Sequence, residues 1–132
     1  MSPSIPPGFS NAEDFGRFTH CLKSGLADGT QALFQGSIVT GRSYRSGETF
    51  DIGRQSDIDI ALVGSDLFEK AKALPLKVKD GTRIGPLSTK HLEDLGLLTL
   101  QRQLSDLAGR PVNFMLFNSI EAALRRPSLW VS

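Results

Sequence analysis

The chain has few of the features that cross-link a small protein or attach it to a membrane. It has one cysteine, Cys21, which excludes a disulfide within the chain and a cysteine-based metal framework, and we expect a buried, unreactive thiol there. No apolar run approaches the roughly 18–20 residues that cross a bilayer, so the sequence predicts no membrane span and no membrane partner. The net charge of +1 excludes a basic molecule overall, although a local basic stripe for nucleic acid remains compatible with it.

The length of 132 residues is typical of one domain with one modest core. The first nine residues, MSPSIPPGF, are rich in proline and serine, and they lack the basic and apolar regions of a signal peptide. We therefore expect residues 1–9 to form a flexible linker or tail, and residues 10–132 to form one domain.

Periodicity predicts a mixed arrangement of helices and strands. Helical spacing and capping residues predict helices at 10–27, 66–74, 91–108 and 119–126. Apolar runs predict strands at 32–34, 57–63 and 112–117, and Asp80-Gly81 favours a brief hairpin. The order of these elements predicts an α/β (α+β) fold with a small mixed sheet flanked by helices.

Two aspartates, Asp57 and Asp59, begin a predicted strand. Residues i and i+2 of a strand point to the same face, and two ionised carboxylates side by side repel each other. A fold tolerates such a pair when both carboxylates lie in water or when they share a cation. Mg²⁺ is commonly held by a few carboxylates together with water and substrate phosphates, so the pair is a candidate metal site for phosphoryl chemistry.

A turn at Gly36-Ser37 follows the first predicted strand, twenty residues before Asp57. Glycine allows the backbone to approach a ligand closely, and exposed N–H groups in a turn attract phosphate. The Ser37 hydroxyl adds a further donor. By itself, a Gly-Ser pair after a strand is more often only a turn.

The two features together, LFQGSIVTGRS and GRQSDIDIALV, resemble the nucleotidyltransferase superfamily, which includes the minimal nucleotidyltransferases, the tRNA-end-adding enzymes and DNA polymerase beta. The resemblance covers roughly residues 31–117. It implies that Gly36 and Ser37 hold the triphosphate of an NTP and that Asp57 and Asp59 bind Mg²⁺.

The sequence departs from the superfamily pattern at Asn113. The superfamily places a third acidic residue on a later strand as general base and metal ligand, and the matching position here is Asn113, which cannot accept a proton. The long connection before Asp57 contains Glu48 and Asp51, and either could supply a carboxylate from a loop or be a solvated loop acid. The resemblance leaves Asn113 the role of orienting the acceptor.

Three arginines flank this region in the sequence. Guanidinium groups suit polyphosphates because they make bidentate contacts, so these side chains are candidate nucleotide ligands. They are Arg42, Arg45 and Arg54. The alternative for each is a solvated surface arginine.

A narrower resemblance lies in FQGSIVTGRSYRSGETFDIGRQSDIDIAL and GRPVNFMLF. These segments are similar to the nucleotidyltransferase-like toxin domains at the C-terminal ends of secreted bacterial proteins, including contact-dependent inhibition and Rhs-type polymorphic toxins. The resemblance implies transfer of a nucleoside monophosphate from an NTP to an RNA end (a tRNA, for example) or to a protein hydroxyl. It further implies action in the cytoplasm of a target bacterial cell and a cognate immunity protein as partner.

Two other interpretations remain open at this point. The first is a catalytically degenerate nucleotidyltransferase fold that binds a nucleotide or a partner, and the replacement of the third carboxylate by Asn113 favours it. The second is a nucleic-acid-binding module without chemistry. The near-neutral charge disfavours the second, because non-specific binding depends on counterion release.

Overall fold

The computed structural model describes residues 12–26, 29–35, 57–74, 78–79, 81–85, 87–125 and 128–130. Within these residues the chain forms five helices and six strands. In chain order they are α1 Ala12–Gly25, β1 Gln31–Gln35, β2 Ile58–Val63, α2 Ser65–Lys72, β3 Val78–Lys79, β4 Arg83–Ile84, α3 Thr89–Asp94, α4 Leu98–Ala108, β5 Val112–Phe117, α5 Ile120–Ala123 and β6 Ser128–Trp130. No helix in the described part of the chain combines the length and apolar character that crossing a bilayer requires.

The strands form one sheet in the order β3-β4-β5-β2-β1-β6. The central pair, β2 and β5, is parallel, and every other pair is antiparallel. Asp80 of the predicted turn lies outside the described residues, and Gly81 lies between the antiparallel strands β3 and β4 with a φ of 68°. The protein therefore has the predicted fold class, a small α/β (α+β) fold with a mixed sheet and flanking helices.

One face of the sheet carries most of the core. Because side chains alternate along a strand, Phe34 of β1, Ile60 of β2 and Phe114 of β5 lie on this face, and all three are fully buried. Helices α1 to α4 cover it, and the ring of Phe34 contacts the ring of Phe18 with centroids 5.9 Å apart. Burial of this apolar surface supplies the main stabilisation of the fold.

The opposite face carries a smaller cluster. Leu33, Ala61 and Phe117 pack there against Ala122 and Ala123 of the four-residue helix α5. The same alternation assigns the polar members of the central strands to this face. Among the described residues this is the less covered side of the sheet, and it holds the candidate site.

The helix predicted over 91–108 is two helices in the structure. Helix α3 ends at Asp94 and α4 begins at Leu98, and Gly96 in the corner between them has a φ of 73°. Residues with a side chain rarely adopt this left-handed conformation, so glycine allows the chain to turn here. The leucine spacing of 91–108 predicts that Leu107 lies on the apolar side of one helix, but it is 43% exposed on α4.

Two smaller expectations were also wrong. The sequence predicts Ser65 as the cap of the helix over 66–74, but Ser65 is the first residue of α2 and the cap residue is Gly64. Cys21 is half-buried rather than buried, and its thiol donates to Oε1 of Gln103 at 3.9 Å. Strand β6 was not predicted, because a three-residue run has too little alternation to be distinguished before its partner strand is known.

Candidate functional site

Three neighbouring strands bring polar side chains to one edge of the sheet. Asp59, the second residue of β2, pairs with Asn113 of β5 in the parallel ladder and with Gln35 of β1 in the antiparallel ladder. The C-terminal end of β1 therefore meets the N-terminal ends of β2 and β5. Asp57 lies two residues before Asp59, just ahead of β2, and is hydrogen-bonded to Asn113.

The side-chain amide of Asn113 bridges the two aspartates. Its Nδ2 donates to Oδ2 of Asp57 at 3.1 Å and to Oδ1 of Asp59 at 3.3 Å. An amide nitrogen carries two hydrogens, so it can donate one hydrogen bond to each carboxylate. The amide oxygen in this position would repel them. The two carboxylates therefore converge on one atom, Nδ2 of Asn113.

Burial makes the negative charge on Asp59 unfavourable. Asp57 is exposed and Asp59 is half-buried. Desolvation by burial raises the pKa of the Asp59 carboxyl above its ordinary value, the hydrogen bond from Asn113 opposes this, and the negative charge of Asp57 adds to it. A carboxyl whose pKa is raised by burial and by a like charge is more common at functional sites than elsewhere.

No cationic side chain in the described ranges pairs with these aspartates. The two ion pairs between described residues join Arg17 to Glu13 and Lys72 to Glu69, both at exposed positions on other elements. Among the described residues, the neutral amide of Asn113 is the donor that offsets the unfavourable burial of the Asp59 charge. A cation placed beside the two carboxylates would stabilise their negative charge further.

The two carboxylates fit Mg²⁺ better than a metal that needs a complete set of protein ligands. Within the described segments there is no group of three or more histidine, cysteine, aspartate or glutamate side chains arranged to hold a metal ion. The described residues thus offer a cation the two carboxylates of Asp57 and Asp59, and its further ligands would come from water, from substrate or from residues outside the described ranges. Mg²⁺ retains several waters and usually takes one or two protein carboxylates together with phosphate oxygens.

Gln35 is a polar residue of this edge that sequence reasoning missed. It is 3% exposed, and its Nε2 donates to the carbonyl oxygen of Ala123 at 2.8 Å and to Oγ of Ser128 at 3.1 Å. Its Oε1 is buried and has no hydrogen-bond partner among the described residues. The available signal was a lone amide at the end of an apolar strand, immediately before Gly36.

The other predicted site residues lie outside the described residues. They are Gly36 and Ser37, the arginines Arg42, Arg45 and Arg54, and the loop acids Glu48 and Asp51. In the sequence, Gly36 directly follows Gln35, whose Cα partner in the sheet is Asp59. The described part of the chain thus brings together Asp57, Asp59 and Asn113 from the predicted set, and adds Gln35.

A cleft of about 220 Å³ lies elsewhere, between the end of α1, helix α2 and the α3–α4 corner. Leucines form much of its wall, and Asp66 and Lys70 contribute polar atoms. It is smaller than most small-molecule sites, and none of the aspartates or amides of the sheet edge line it. The sheet edge therefore remains the stronger candidate.

No protein-family profile, no curated protein and no solved structure matches the chain. The resemblance to nucleotidyltransferases therefore rests on the motif residues themselves. The structure itself shows a small mixed α/β sheet, and two aspartates and one asparagine in hydrogen-bond contact at its edge.

Proposed function

We propose that this chain is a Mg²⁺-dependent nucleotidyltransferase domain. It transfers a nucleoside monophosphate from an NTP to an RNA end or to a protein hydroxyl and releases pyrophosphate. The observation that carries the proposal is the convergence of Asp57 and Asp59 on one point, at the amide of Asn113. The half-buried carboxylate of Asp59 lies beside the exposed carboxylate of Asp57, and neither has a cationic partner among the described residues. A bound metal ion would stabilise the negative charge of such a pair.

In this proposal the carboxylates of Asp57 and Asp59 would hold the cation, which would supply charge neutralisation for the triphosphate and polarisation of the attacked phosphorus. Gly36 and Ser37 would bind the triphosphate through backbone N–H groups and a hydroxyl. Asn113 would orient the acceptor hydroxyl through a hydrogen bond but would not take its proton, because a carboxamide is not a base at neutral pH, and the proton would pass to solvent water. Catalysis of this type consists mainly of positioning and charge neutralisation.

The arginines have a supporting role in the proposal. Arg42 stabilises the charge that develops on the phosphates, and Arg45 and Arg54 contribute to nucleotide binding through bidentate contacts. These assignments depend on sequence position and on the chemistry of guanidinium groups.

A transfer assay tests the proposed activity. The purified chain is incubated with Mg²⁺, a bacterial lysate and each of four α-labelled NTPs in turn, beside the isosteric variants Asp57→Asn and Asp59→Asn. Asp106→Asn, which changes an exposed carboxylate on α4, is the matched control. We expect label on RNA or protein with the wild type and Asp106→Asn, a loss of at least about 100-fold with either site variant, and no transfer in EDTA.

The destruction of the labelled product by ribonuclease or by protease identifies the acceptor class. Label that persists in both site variants would contradict the assignment of Asp57 and Asp59. Absence of label from every NTP, with the wild type folded, would contradict the transferase proposal itself.

The toxin role is a separate part of the proposal, and it rests on the resemblance of the sequence motifs. It places the activity in the cytoplasm of a target bacterial cell and implies a cognate immunity protein that blocks it. Induced expression in a bacterial host should arrest growth with the wild type and with Asp106→Asn, but not with Asp59→Asn. Growth unaffected by an active transferase would contradict a toxin role and leave the activity in place.

One observation favours a second candidate, a nucleotide-binding domain without transfer. Asn113 supplies a neutral amide where the resembled superfamily has a third carboxylate, and this amide already satisfies both aspartates. Under this alternative the wild type binds a Mg²⁺–NTP complex but transfers nothing. The substitution Asn113→Asp, which restores the carboxylate, would then create transfer activity, whereas an active wild type would have activity before the change.

A further inference from the structure

The side-chain amide of Gln35 has a fixed orientation. Its Nε2 donates to two oxygens, the carbonyl of Ala123 and Oγ of Ser128, and the Ser128 hydroxyl itself donates to the Ala123 carbonyl at 3.3 Å. Exchanging the nitrogen and oxygen of the amide would direct two oxygens at each other at the Ala123 carbonyl. The oxygen Oε1 is therefore held on the other arm of the amide, away from Ala123.

This oxygen is a buried acceptor without a partner in the described part of the chain. Gln35 is 3% exposed, so bulk water does not solvate Oε1 freely. Buried polar atoms are almost always hydrogen-bonded, and an exception in a folded protein suggests a role or a missing ion or water.

The position of Gln35 connects this oxygen with the aspartates. Gln35 and Asp59 are directly opposite in the antiparallel ladder of β1 and β2 and lie on the same face of the sheet. The Cβ atoms of such a pair are about 4.5–5.5 Å apart, a separation that one water molecule can bridge between two side-chain oxygens. Mg²⁺ keeps several of its waters when it binds to protein, and those waters donate hydrogen bonds to nearby acceptors.

We propose that Oε1 of Gln35 accepts a hydrogen bond from a water molecule in the coordination shell of a divalent cation held by Asp57 and Asp59. This inference rests on the cation site of the proposed function and assigns Gln35 as a positioning residue. The amide adds no charge, so its contribution is to orient one bound water and thereby the remaining open positions of the cation.

The test is the affinity of the full chain for Mn²⁺, a spectroscopic substitute for Mg²⁺, measured by electron paramagnetic resonance without any nucleotide. Wild type is compared with Gln35→Met and with Ser128→Ala as the matched control. Both substitutions remove the hydrogen bond between Gln35 Nε2 and Ser128, but only Gln35→Met removes Oε1. We expect the Mn²⁺ dissociation constant to rise about 10-fold or more in Gln35→Met and to stay within about twofold in Ser128→Ala.

Equal affinities of Gln35→Met and wild type would overturn the inference, as would an equal loss in both variants. If Gln35→Met does not fold, Gln35→Glu keeps an oxygen in place of Oε1 and adds a negative charge. The inference expects Gln35→Glu to bind Mn²⁺ at least as tightly as wild type, and weaker binding would overturn it.

Asp59→Asn separates the two levels of the proposal. Mn²⁺ binding that is lost in Asp59→Asn but unchanged in Gln35→Met would overturn the role of Gln35 and leave the cation site intact. Absence of Mn²⁺ binding by the wild type, or equal binding by Asp59→Asn, would overturn the cation site and the inference together.

Discussion

At the scale of single residues, the main feature of the site is the carboxylate of Asp59, whose ionised form is destabilised by burial. Asp59 is half-buried beside Asp57, and the amide of Asn113 is its hydrogen-bond donor. Strand alternation was enough to predict that the two aspartates share a face, and the resemblance identified the position of Asn113. Gln35 could not be predicted, because its burial and its unpartnered oxygen depend on α5 and β6, which pack against it from distant parts of the sequence.

The raised pKa of Asp59 predicts that Asp59→Asn stabilises the metal-free protein at neutral pH. The folded state binds a proton on Asp59 more readily than the unfolded state, so its contribution to the free energy of unfolding is fully present below the ordinary pKa of 3.8. That contribution is lost as the pH rises through the folded-state pKa. Urea unfolding at pH 7 and near pH 3 should therefore show a gain for Asp59→Asn at pH 7 that shrinks at low pH.

The control for this prediction is Asp106→Asn, at an exposed position on α4. Its free energy of unfolding should stay within about 0.5 kcal/mol of wild type at both pH values. A loss of stability in Asp59→Asn at pH 7, or a gain of the same size at both pH values, would show that burial of the charge is not the dominant effect.

At the scale of elements, periodicity located the helices and strands better than it located the breaks between them. The apolar spacing of 91–108 is compatible with one helix, but the chain turns at Gly96 so that Leu92 and Leu97 both become buried. Strand β6 has only three residues and depends on pairing with β1. Boundaries of this kind are decided by tertiary packing, which a single sequence pattern does not contain.

The left-handed conformation of Gly96 predicts that two glycine-to-alanine substitutions change the free energy of unfolding in opposite directions. Gly96→Ala should destabilise the protein by about 1 kcal/mol, because a β-carbon is unfavourable at a φ of 73° although nothing lies within 4 Å of it. Gly16→Ala, within helix α1 and equally open, should stabilise by about 0.5–1 kcal/mol. Denaturant unfolding measures both, and stabilisation by Gly96→Ala would indicate one continuous helix instead.

At the scale of the whole molecule, the two faces of the sheet have different roles. Within the described residues, helices α1 to α4 cover one face with a large apolar core, whereas α5 covers part of the other with a small cluster. The sequence alternation of β1, β2 and β5 predicts two faces, but not which face receives four helices. On the second face Asp57 is exposed, and Asp59 and Asn113 are half-buried.

This arrangement predicts where apolar truncation is costly. Phe34 is fully buried in β1, with ring contacts to Phe15 and Phe18, so Phe34→Ala should lower the free energy of unfolding by about 3–5 kcal/mol. Leu107→Ala, on the exposed side of α4, should change it by less than about 1 kcal/mol. Losses of similar size in denaturant unfolding would contradict the division between core and surface described here.

The most direct test of the account observes the Asn113 side-chain amide itself by ¹⁵N NMR while Mg²⁺ and a non-hydrolysable NTP analogue are added. A cation bound by Asp57 and Asp59 would compete with Nδ2 of Asn113 for both carboxylates and weaken these hydrogen bonds. We therefore expect the two side-chain amide proton signals of Asn113 to shift, with a titration curve that saturates as a single binding site. The shift should be absent in Asp59→Asn and unchanged in Asp106→Asn. Amide signals of Asn113 that stay in place at saturating Mg²⁺ and nucleotide would contradict a nucleotide-bound cation at this site.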